Sequence, residues 1–278
     1  MHNNLARIIL AIIEGKGGVG KSFIAQLGGV ALAGPEATFK VQIIDSDVNN
    51  SSMAQIDPDT QFAGLSDPTD LQSIGTLLMA VDQLGNESVD GVVWDTAAGI
   101  EETLKDQILP QVLKRANKQK VKLIVMRPIT TSAFTQQAAV SFALWAQERG
   151  IIVIFVRNLG QGRAQKYFLD WESDPDRLKL HPQPVEIILP DLGCWIADES
   201  TALGLSIADV ALGNFGRLTP GARAVAERKF TPQVQLATAD WLDSRRAEFE
   251  QAIAQAIAQA NSHETTPPAT PKKKNKEA

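Results

Sequence analysis

The sequence predicts an α/β fold in three layers, with helices on both faces of a mostly parallel, doubly wound sheet. Three observations support this prediction. The chain has 278 residues and is 44% hydrophobic, which is enough to bury one large core. Short apolar runs rich in β-branched residues recur along it, and they are continuously apolar, as expected for parallel strands covered on both faces. Segments with helical spacing of apolar residues separate most of these runs.

Six apolar runs are predicted to be strands, at residues 8–13, 41–44, 92–94, 121–126, 151–156 and 185–189. Helices are predicted where apolar residues recur at helical spacing, namely at Phe23, Leu27, Val30 and Ala31, at Leu104, Ile108, Val112 and Leu113, and at Ala138, Phe142 and Trp145. Residues 46–70 are predicted to be a loop with one helical turn, and 157–184 a loop with a short helix near 163–171.

The C-terminal part of the chain divides into a helix and a tail. A last helix is predicted over residues 234–260, which completes a single domain over residues 1–260. Residues 261–278 are polar and rich in proline and lysine, so they are predicted to be a disordered tail.

Charge and cysteine content exclude several classes of protein. The formal net charge is −5, which argues against nucleic-acid binding over the whole surface and leaves room for a local basic patch. The single cysteine, Cys194, cannot form an internal disulfide or a cysteine metal cluster, and it is predicted to be a core thiol in a reducing cytosol. No signal peptide or membrane helix is expected, so the sequence predicts a cytoplasmic protein.

Residues 15–22 read GKGGVGKS and match the phosphate-binding pattern G-x-x-x-x-G-K-[ST]. The pattern follows a predicted strand and opens a predicted helix, which argues against a glycine turn that binds nothing. Glycines let backbone N–H groups close around phosphate oxygens, and the helix N-terminus attracts anions. We expect Lys21 to reach the β- and γ-phosphates of a nucleotide and Ser22 to hold Mg²⁺. The predicted fold class is therefore a P-loop NTPase, with nucleotide contacts from Gly15, Lys16, Gly17, Gly18, Val19, Gly20, Lys21, Ser22 and Phe23.

A second lysine inside the loop, Lys16, is not required by the general pattern. The segment Lys-Gly-Gly-x-Gly-Lys-[ST] resembles the deviant Walker A box of the ParA/MinD family, a group of SIMIBI-class ATPases. The resemblance implies that Lys16 reaches across a dimer interface to the nucleotide of the partner subunit. The alternative is a solvated loop lysine.

Two aspartates follow the second predicted strand. Carboxylates at the carboxyl edge of a parallel sheet lie beside the phosphate site, where Mg²⁺ and the attacking water are placed. The resemblance implies that Asp47 positions the hydrolytic water and that Asp45 belongs to the Mg²⁺ shell. The family usually continues Pro-Gln-Gly-Asn, whereas residues 48–51 read VNNS, so the sequence departs from the family pattern in the segment that sets the geometry of the switch loop. The alternative is a hydrogen-bonded turn in which Asp47 has no catalytic part.

Asp95 ends the apolar run 90–95, which resembles a Walker B strand. The resemblance implies that Asp95 holds a water of the Mg²⁺ shell, although an aspartate at a strand end can equally cap a helix. Residues 96–99 read TAAG, which keeps the family's threonine and glycine and lacks its prolines. Asn158 follows the fifth predicted strand, where the family uses an asparagine to bind adenine and where a turn is the other interpretation. Pro190 is similar to the family's proline in the base pocket.

Several features bear on the branch of the family. One cysteine argues against iron proteins that hold a cluster between subunits. The last helix lacks a basic polar face, so we expect it to pack on the core and not on a membrane. Arg217, Arg223, Arg228 and Lys229 are candidates for non-specific contacts to DNA phosphates, the alternative being a mixed solvated face. The register ending at Asn50 is similar to ParA-like proteins of the TraL/StbC group.

The resemblance to the ParA/MinD family thus implies an ATP-dependent homodimer that uses ATP and Mg²⁺, hydrolyses ATP slowly and acts in plasmid or DNA partition, stability or conjugative transfer. A partner protein that stimulates hydrolysis is expected, without a prediction of its identity. Alternatives are a nucleotide-gated adaptor that binds a protein, a MinD-like positioning ATPase with little DNA binding, and a metabolic P-loop enzyme.

Overall fold

The structure is a computed structural model that describes residues 7–34, 39–48, 52–57, 59–65, 71–160 and 168–264. Within these residues the strands form one seven-stranded sheet in the order β3-β2-β4-β1-β5-β6-β7, and every neighbouring pair is parallel. The strands are β1 (Ile8–Ile12), β2 (Val41–Asp45), β3 (Gln61–Phe62), β4 (Gly91–Asp95), β5 (Lys122–Ile129), β6 (Ile152–Asn158) and β7 (Val185–Leu189).

Helices connect the strands and cover both faces of the sheet. A π-helical segment, Leu104–Ile108, lies between the fourth and fifth α-helices, and a short 3-10 helix spans Arg177–Lys179. The α-helices of the described residues are α1 (Lys21–Ala33), α2 (Ser52–Ile56), α3 (Leu71–Gly85), α4 (Glu101–Thr103), α5 (Leu109–Gln119), α6 (Ala133–Gln147), α7 (Leu169–Ser173), α8 (Cys194–Ala202), α9 (Ile207–Leu212), α10 (Pro220–Lys229) and α11 (Pro232–Glu264).

The core has two halves because side chains alternate across the sheet. Ile9 and Ala11 of β1 join the apolar cluster under α3, α5 and α6. Ile8, Leu10 and Ile12 join the cluster under α1, α9 and α11. A smaller cluster between α8, α9 and α10 includes Phe215 and Phe230. This is the three-layer α/β arrangement that the apolar runs predict, and the fold class is confirmed.

All six predicted strands are present, with ends that differ by at most three residues. The predicted loop at 46–70 contains α2 and also β3, which is only two residues long, exposed, and too short to leave a periodic pattern. Helix α3 was not predicted at all. The short helix predicted near 163–171 corresponds to α7, while residues 161–167 lie outside the described part of the chain.

Helix α11 is longer than predicted at both ends and packs against the sheet. Phe249 and Ile253 are fully buried in the cluster that also contains residues of α1, β6 and β7. The packing on the core therefore agrees with the sequence prediction. Residues 261–264, predicted to begin the tail, belong to this helix, and the remaining tail residues 265–278 lie outside the described part. Among the described residues, no helix has the length and apolar character needed to span a membrane.

Replacing Phe249 by alanine is expected to lower the free energy of unfolding by about 3–5 kcal/mol, because the substitution leaves a cavity between α11 and the sheet. Urea unfolding followed by circular dichroism measures the loss. Leu236→Ala on the same helix is the control, because Leu236 is 65% exposed and its loss is expected to change stability by less than about 0.5 kcal/mol. Equal losses in the two variants would contradict the packing of α11.

Candidate nucleotide site

The glycine loop runs from the end of β1 into the first turn of α1. Gly18 and Gly20 have φ angles of 72° and 89°, in the left-handed region that other residues rarely adopt. A Cβ at Gly20 would lie 2.5 Å from Asn158 Nδ2, so close packing also requires glycine there. Lys21 begins α1 and is 7% exposed. The loop therefore leads directly into a helix N-terminus, which is the arrangement found in phosphate-binding loops.

Asn158, the last residue of β6, holds the glycine loop from the side. Its Nδ2 donates to the carbonyl of Val19 at 2.9 Å, and its Oδ1 accepts from the N–H of Gly160 at 2.9 Å. The second bond is the turn that the sequence offered as one interpretation of Asn158. The bond to the loop was not predicted, because Asn158 and Val19 are 139 positions apart in the chain.

A cavity of about 490 Å³ adjoins the loop beside Asn158. This volume lies within the range of pockets that hold small-molecule cofactors. The cavity brings together Phe23, Asn158 and Pro190, which the sequence assigned separately to nucleotide contacts. Other residues that line it are Gly18, Gly20, Ser22, Gln26, Ile56, Gly160, Asp191, Leu192, Gly193, Ala197, Asp198 and Thr201.

Asp95, at the end of β4, is a buried carboxylate that is only partly compensated. It is 2% exposed, and its Oδ1 has no hydrogen-bond partner among the described residues. Loss of hydration raises its pKa to about 7, the hydrogen bond from Ser22 opposes this shift, and the charge of Asp45 adds to it. A buried acceptor of this kind is costly unless a cation or donor completes it.

Ser22 and Asp95 fit the protein side of a Mg²⁺ site. Magnesium prefers hard oxygen ligands and keeps several waters, so in nucleotide sites one or two protein oxygens suffice and phosphates supply others. In the described residues no group of three or more His, Cys, Asp or Glu side chains could hold a metal by itself. The orphaned Oδ1 of Asp95, next to the Ser22 hydroxyl, therefore suits an ion that is held jointly with a nucleotide.

Asp45 is fully buried and engaged with backbone N–H groups. Its carboxylate accepts from Asp47 at 2.9 Å, from Met53 at 3.1 Å and from Ala54 at 3.3 Å. Loss of hydration raises its pKa, and these three bonds oppose the shift. Asp45 thus fixes the turn that carries Asp47 and the start of α2. Of the altered segment 48–51, only Val48 is described, and its side chain is 41% exposed.

Three charged residues behind the loop escaped the sequence analysis. Arg127 of β5 is fully buried, and its Nη2 lies 2.7 Å from Glu101 Oε2 and 3.1 Å from Glu14 Oε2. Loss of hydration raises the pKa of Glu14, while Arg127 opposes the shift. Two sequence features could have identified Arg127 and Glu14, namely an arginine within an apolar strand and a glutamate directly before the glycine loop. Lys16 of the loop, in contrast, is exposed.

A family model named ParA and described as NUBPL iron-transfer P-loop NTPase matches residues 5–154, which is more than half of the 278-residue chain. The chain belongs to the ParA family of P-loop NTPases. The match covers the glycine loop, both aspartate segments and the strands β1 to β5. Among curated proteins, none matches this ParA-family chain.

Solved structures with a similar chain course include three nucleotide complexes. The nucleotide-binding protein from Archaeoglobus fulgidus in complex with ADP has 16% identity, a TM-score of 0.40, and coverage of 73% of this chain and 89% of its own. A variant of McdA from Cyanothece in complex with ATP has 15% identity, a TM-score of 0.47, and coverage of 80% and 96%. The 54 kDa signal recognition particle protein from Aeropyrum pernix in complex with GDP has 17% identity, a TM-score of 0.42, and coverage of 93% and 67%.

The four basic residues considered for DNA contacts are largely engaged within this ParA-family protein. Arg217 pairs with Asp209 at 2.8 Å. Arg223 donates to the carbonyl of Gly216 at 2.7 Å, and Lys229 pairs with Glu199. Arg228 is exposed on α10. Three of the four candidates therefore have a role in local structure.

Asp95→Asn is expected to flatten the dependence of stability on pH. The pKa of Asp95 is about 7 in the fold against an ordinary 3.8, so between these values the native state keeps a proton that the unfolded chain has released. The protonated Asp95 therefore makes its full contribution to the free energy of unfolding below about pH 4, and this contribution is lost as the pH rises through about 7. Urea unfolding at pH values from about 4 to 8, without Mg²⁺ or nucleotide, measures the slope.

At the alkaline end of this range the Asp95→Asn protein is expected to be more stable than the wild type, because it buries no charge there. Asp106→Asn, at an exposed position of the π-helical segment, is the control and should keep the wild-type slope. A wild-type slope in Asp95→Asn would show that this carboxylate is not the buried acid described above.

Proposed function

We propose that this ParA-family protein is a Mg²⁺-dependent ATPase that binds ATP and hydrolyses it slowly to ADP and phosphate. The observation that carries the proposal is the buried carboxylate of Asp95, with an unpaired oxygen, beside Ser22 at the foot of a complete phosphate loop. A bound Mg²⁺ would neutralise phosphate charge and orient the phosphates for in-line attack. The remaining chemistry is positioning by residues of this chain.

Each predicted site residue has a place in this proposal. Lys21, at the start of α1, contacts the β- and γ-phosphates, while the N–H groups of residues 15–20 surround them. Ser22 and Asp95 complete the metal shell. Asp47 positions the attacking water. Asp45, whose oxygens already accept three backbone N–H groups, supports the metal shell from behind and holds Asp47 in place.

The cavity beside the loop is the proposed site for the nucleoside. Asn158 lies at its border with the loop, so the same side chain that supports Val19 can contact the base. Phe23 and Pro190 offer apolar surface to the flat faces of adenine. The Asn158 amide makes one bond to Val19 and one to Gly160, so a second N–H and a second lone pair are left to match the edge of adenine, which has both a donor and an acceptor.

We further propose that ATP drives the formation of a homodimer in which Lys16 contacts the nucleotide of the partner subunit. Lys16 is exposed, while Lys21, five positions later at the start of α1, is buried, so the two lysines face different surroundings. An exposed cation at the edge of a phosphate site would gain its partner only when a second subunit brings a triphosphate. Hydrolysis would then remove the terminal phosphate charge that Lys16 contacts, and the two subunits would separate.

The proposed role is partition or stability of plasmid DNA, or conjugative transfer, as in the TraL/StbC-like group. A hydrolysis-stimulating partner protein belongs to this proposal. DNA contact would rest on Arg228 together with cations released from their present pairs, which is a small basic surface on a chain of net charge −5. This small surface favours the second candidate, a nucleotide-gated adaptor or MinD-like positioning ATPase with little DNA binding. We do not propose iron transfer, because Cys194 is the only cysteine.

Lys21→Ala is expected to lower nucleotide affinity or ATP turnover by at least about a hundredfold, because the lysine stabilises charge on the transferred phosphate. Titration with a fluorescent ATP analogue and phosphate release measure the two effects. Lys118→Ala, in the exposed part of α5, is the control and should behave as the wild type. Unchanged binding and turnover in Lys21→Ala would exclude this lysine from the site.

Lys16→Ala is expected to bind ATP as a monomer and to lose the ATP-dependent dimer, because the charge that reaches the partner's phosphates is gone. Light scattering of both proteins with ADP, with ATP and with a non-hydrolysable analogue, all with Mg²⁺, measures the mass. Adding plasmid DNA to each sample separates the two biological roles. Retention of only the triphosphate dimer on DNA supports partition, and a dimer that ignores DNA supports the adaptor. Full dimerisation of Lys16→Ala would refute the proposed contact.

A further inference from the structure

A fully buried arginine joins two segments that flank the candidate Mg²⁺ site. Arg127 Nη1 donates to the carbonyl of Ile13 at 3.0 Å, where β1 leads into the glycine loop. Its Nη2 donates to Glu101 Oε2 at 2.7 Å and lies 3.1 Å from Glu14 Oε2. Neither Arg127 nor Glu14 has exposed side-chain surface, and the guanidinium also lies 4.9 Å from the centre of the Phe142 ring.

Packing alone does not account for an arginine at this position. Val125 and Ile129 flank it on the same face of β5, and both belong to the apolar core, so an apolar residue would continue that core. Buried ion pairs often contribute no more stability than apolar residues of similar size, and their best documented use is to specify one arrangement. The Oε2 of Glu14 also forms no hydrogen bond among the described residues, and burial raises the pKa of this carboxyl, so the arrangement leaves a buried acceptor only partly compensated.

The partners of Arg127 show which arrangement is specified. On one side, Glu14 Oε1 accepts from the N–H of Lys16 at 3.2 Å, so the carboxylate orients the backbone at the lysine of the loop. On the other side, Glu101 begins α4, directly after the residues that lead away from Asp95. The N–H of Gly99 in that segment donates to the carbonyl of Gly15 at 2.8 Å, which is a second link between the same two regions.

We propose that Arg127, held between Glu14 and Glu101, is a positioning residue that couples the segment after Asp95 to Lys16. A change at Asp95 when nucleotide and metal bind would displace residues 96–100 and with them Glu101. Arg127 transmits that displacement to Glu14, which holds the Lys16 backbone. The inference rests on the proposed ATP-driven dimer, and it assigns to three residues the step between metal binding and the orientation of Lys16.

The neighbouring strand offers a matched control. Arg157 of β6 is also buried at the carboxyl end of its strand, and it also pairs with two glutamates, Glu172 at 2.6 Å and Glu186 at 2.8 Å. Glu172 lies in α7 and Glu186 in β7, the edge strand beyond β6. The segment after Asp95 follows β4, which lies on the other side of β1. Arg157→Met therefore removes a similar buried cation without breaking a link between the loop and that segment.

The test compares Arg127→Met, the charge-neutral triple variant Glu14→Gln/Glu101→Gln/Arg127→Met, and Arg157→Met, each assayed where it is fully folded. Arg127→Met leaves the buried Glu14 and the partly exposed Glu101 without their cation, so it should be less stable, and the triple variant should recover stability. In both variants the KM for ATP should change by less than about threefold, because the loop still binds phosphates. The kcat and the affinity of the ATP-dependent dimer should fall at least about tenfold, because Lys16 is misplaced.

Arg157→Met should lose stability and keep its kcat and its dimer. Wild-type kcat and dimerisation in the stable triple variant would overturn the proposal, since the contacts of Arg127 with Glu14 and Glu101 would then be dispensable. Equal loss of kcat in Arg157→Met would overturn it as well, because any buried arginine would then have the same effect.

Hydrogen exchange on the nucleotide-free proteins separates failure of this inference from failure of the proposed function. Loss of the contacts between Arg127 and the two glutamates should make the amides of Lys16 and Gly99 exchange at least about tenfold faster in Arg127→Met. In Arg157→Met the exchange of these amides should stay at the wild-type rate. Unchanged exchange overturns the coupling whether or not the protein hydrolyses ATP. Faster exchange in a protein whose wild type neither hydrolyses ATP nor dimerises supports the link and rejects the proposed function alone.

Discussion

The parallel alignment of the strands is the constraint on which the candidate site depends. Parallel strands place all their carboxyl ends at the same edge of the sheet, so residues far apart in the chain meet there. The ends of β2, β4 and β6 deliver Asp45, Asp95 and Asn158 to the glycine loop that follows β1. The same alignment requires helical crossovers, whose packing on both faces excludes water from the base of the site.

Because water is excluded, each buried carboxylate at this edge needs a partner. The three carboxylates Asp45, Glu14 and Asp95 have different partners. Asp45 is satisfied by backbone N–H groups, and Glu14 is paired with a buried guanidinium. Asp95 has the Ser22 hydroxyl and one oxygen left over. The arrangement at Asp45 is complete among the described residues, whereas Glu14 is paired with Arg127 by charge and its Oε2 forms no hydrogen bond there. Asp95 also has an oxygen without a partner, and a buried acceptor of this kind beside a phosphate loop is where a functional ligand is expected.

The glycine loop is supported at both ends and open in the middle. Asn158 holds the carbonyl of Val19 near the start of α1, and Gly99 holds the carbonyl of Gly15 near the end of β1. Between them, a Cβ at Gly18 would meet nothing within 4 Å. A loop fixed at its ends, with free space at its tip, is the preorganised arrangement that would favour the proposed binding of an anion.

The sequence by itself determined the α/β class, the six long strands and the phosphate loop, because these follow from local patterns of apolar residues and glycines. It did not determine β3, which is two exposed residues long, or helix α3. Only the tertiary structure decided that Asn158 supports the loop and that Arg127 joins its base to Glu101. Those contacts connect residues 139 and 26 positions apart, and the choice of partner depends on strand order and on burial, neither of which a local pattern records.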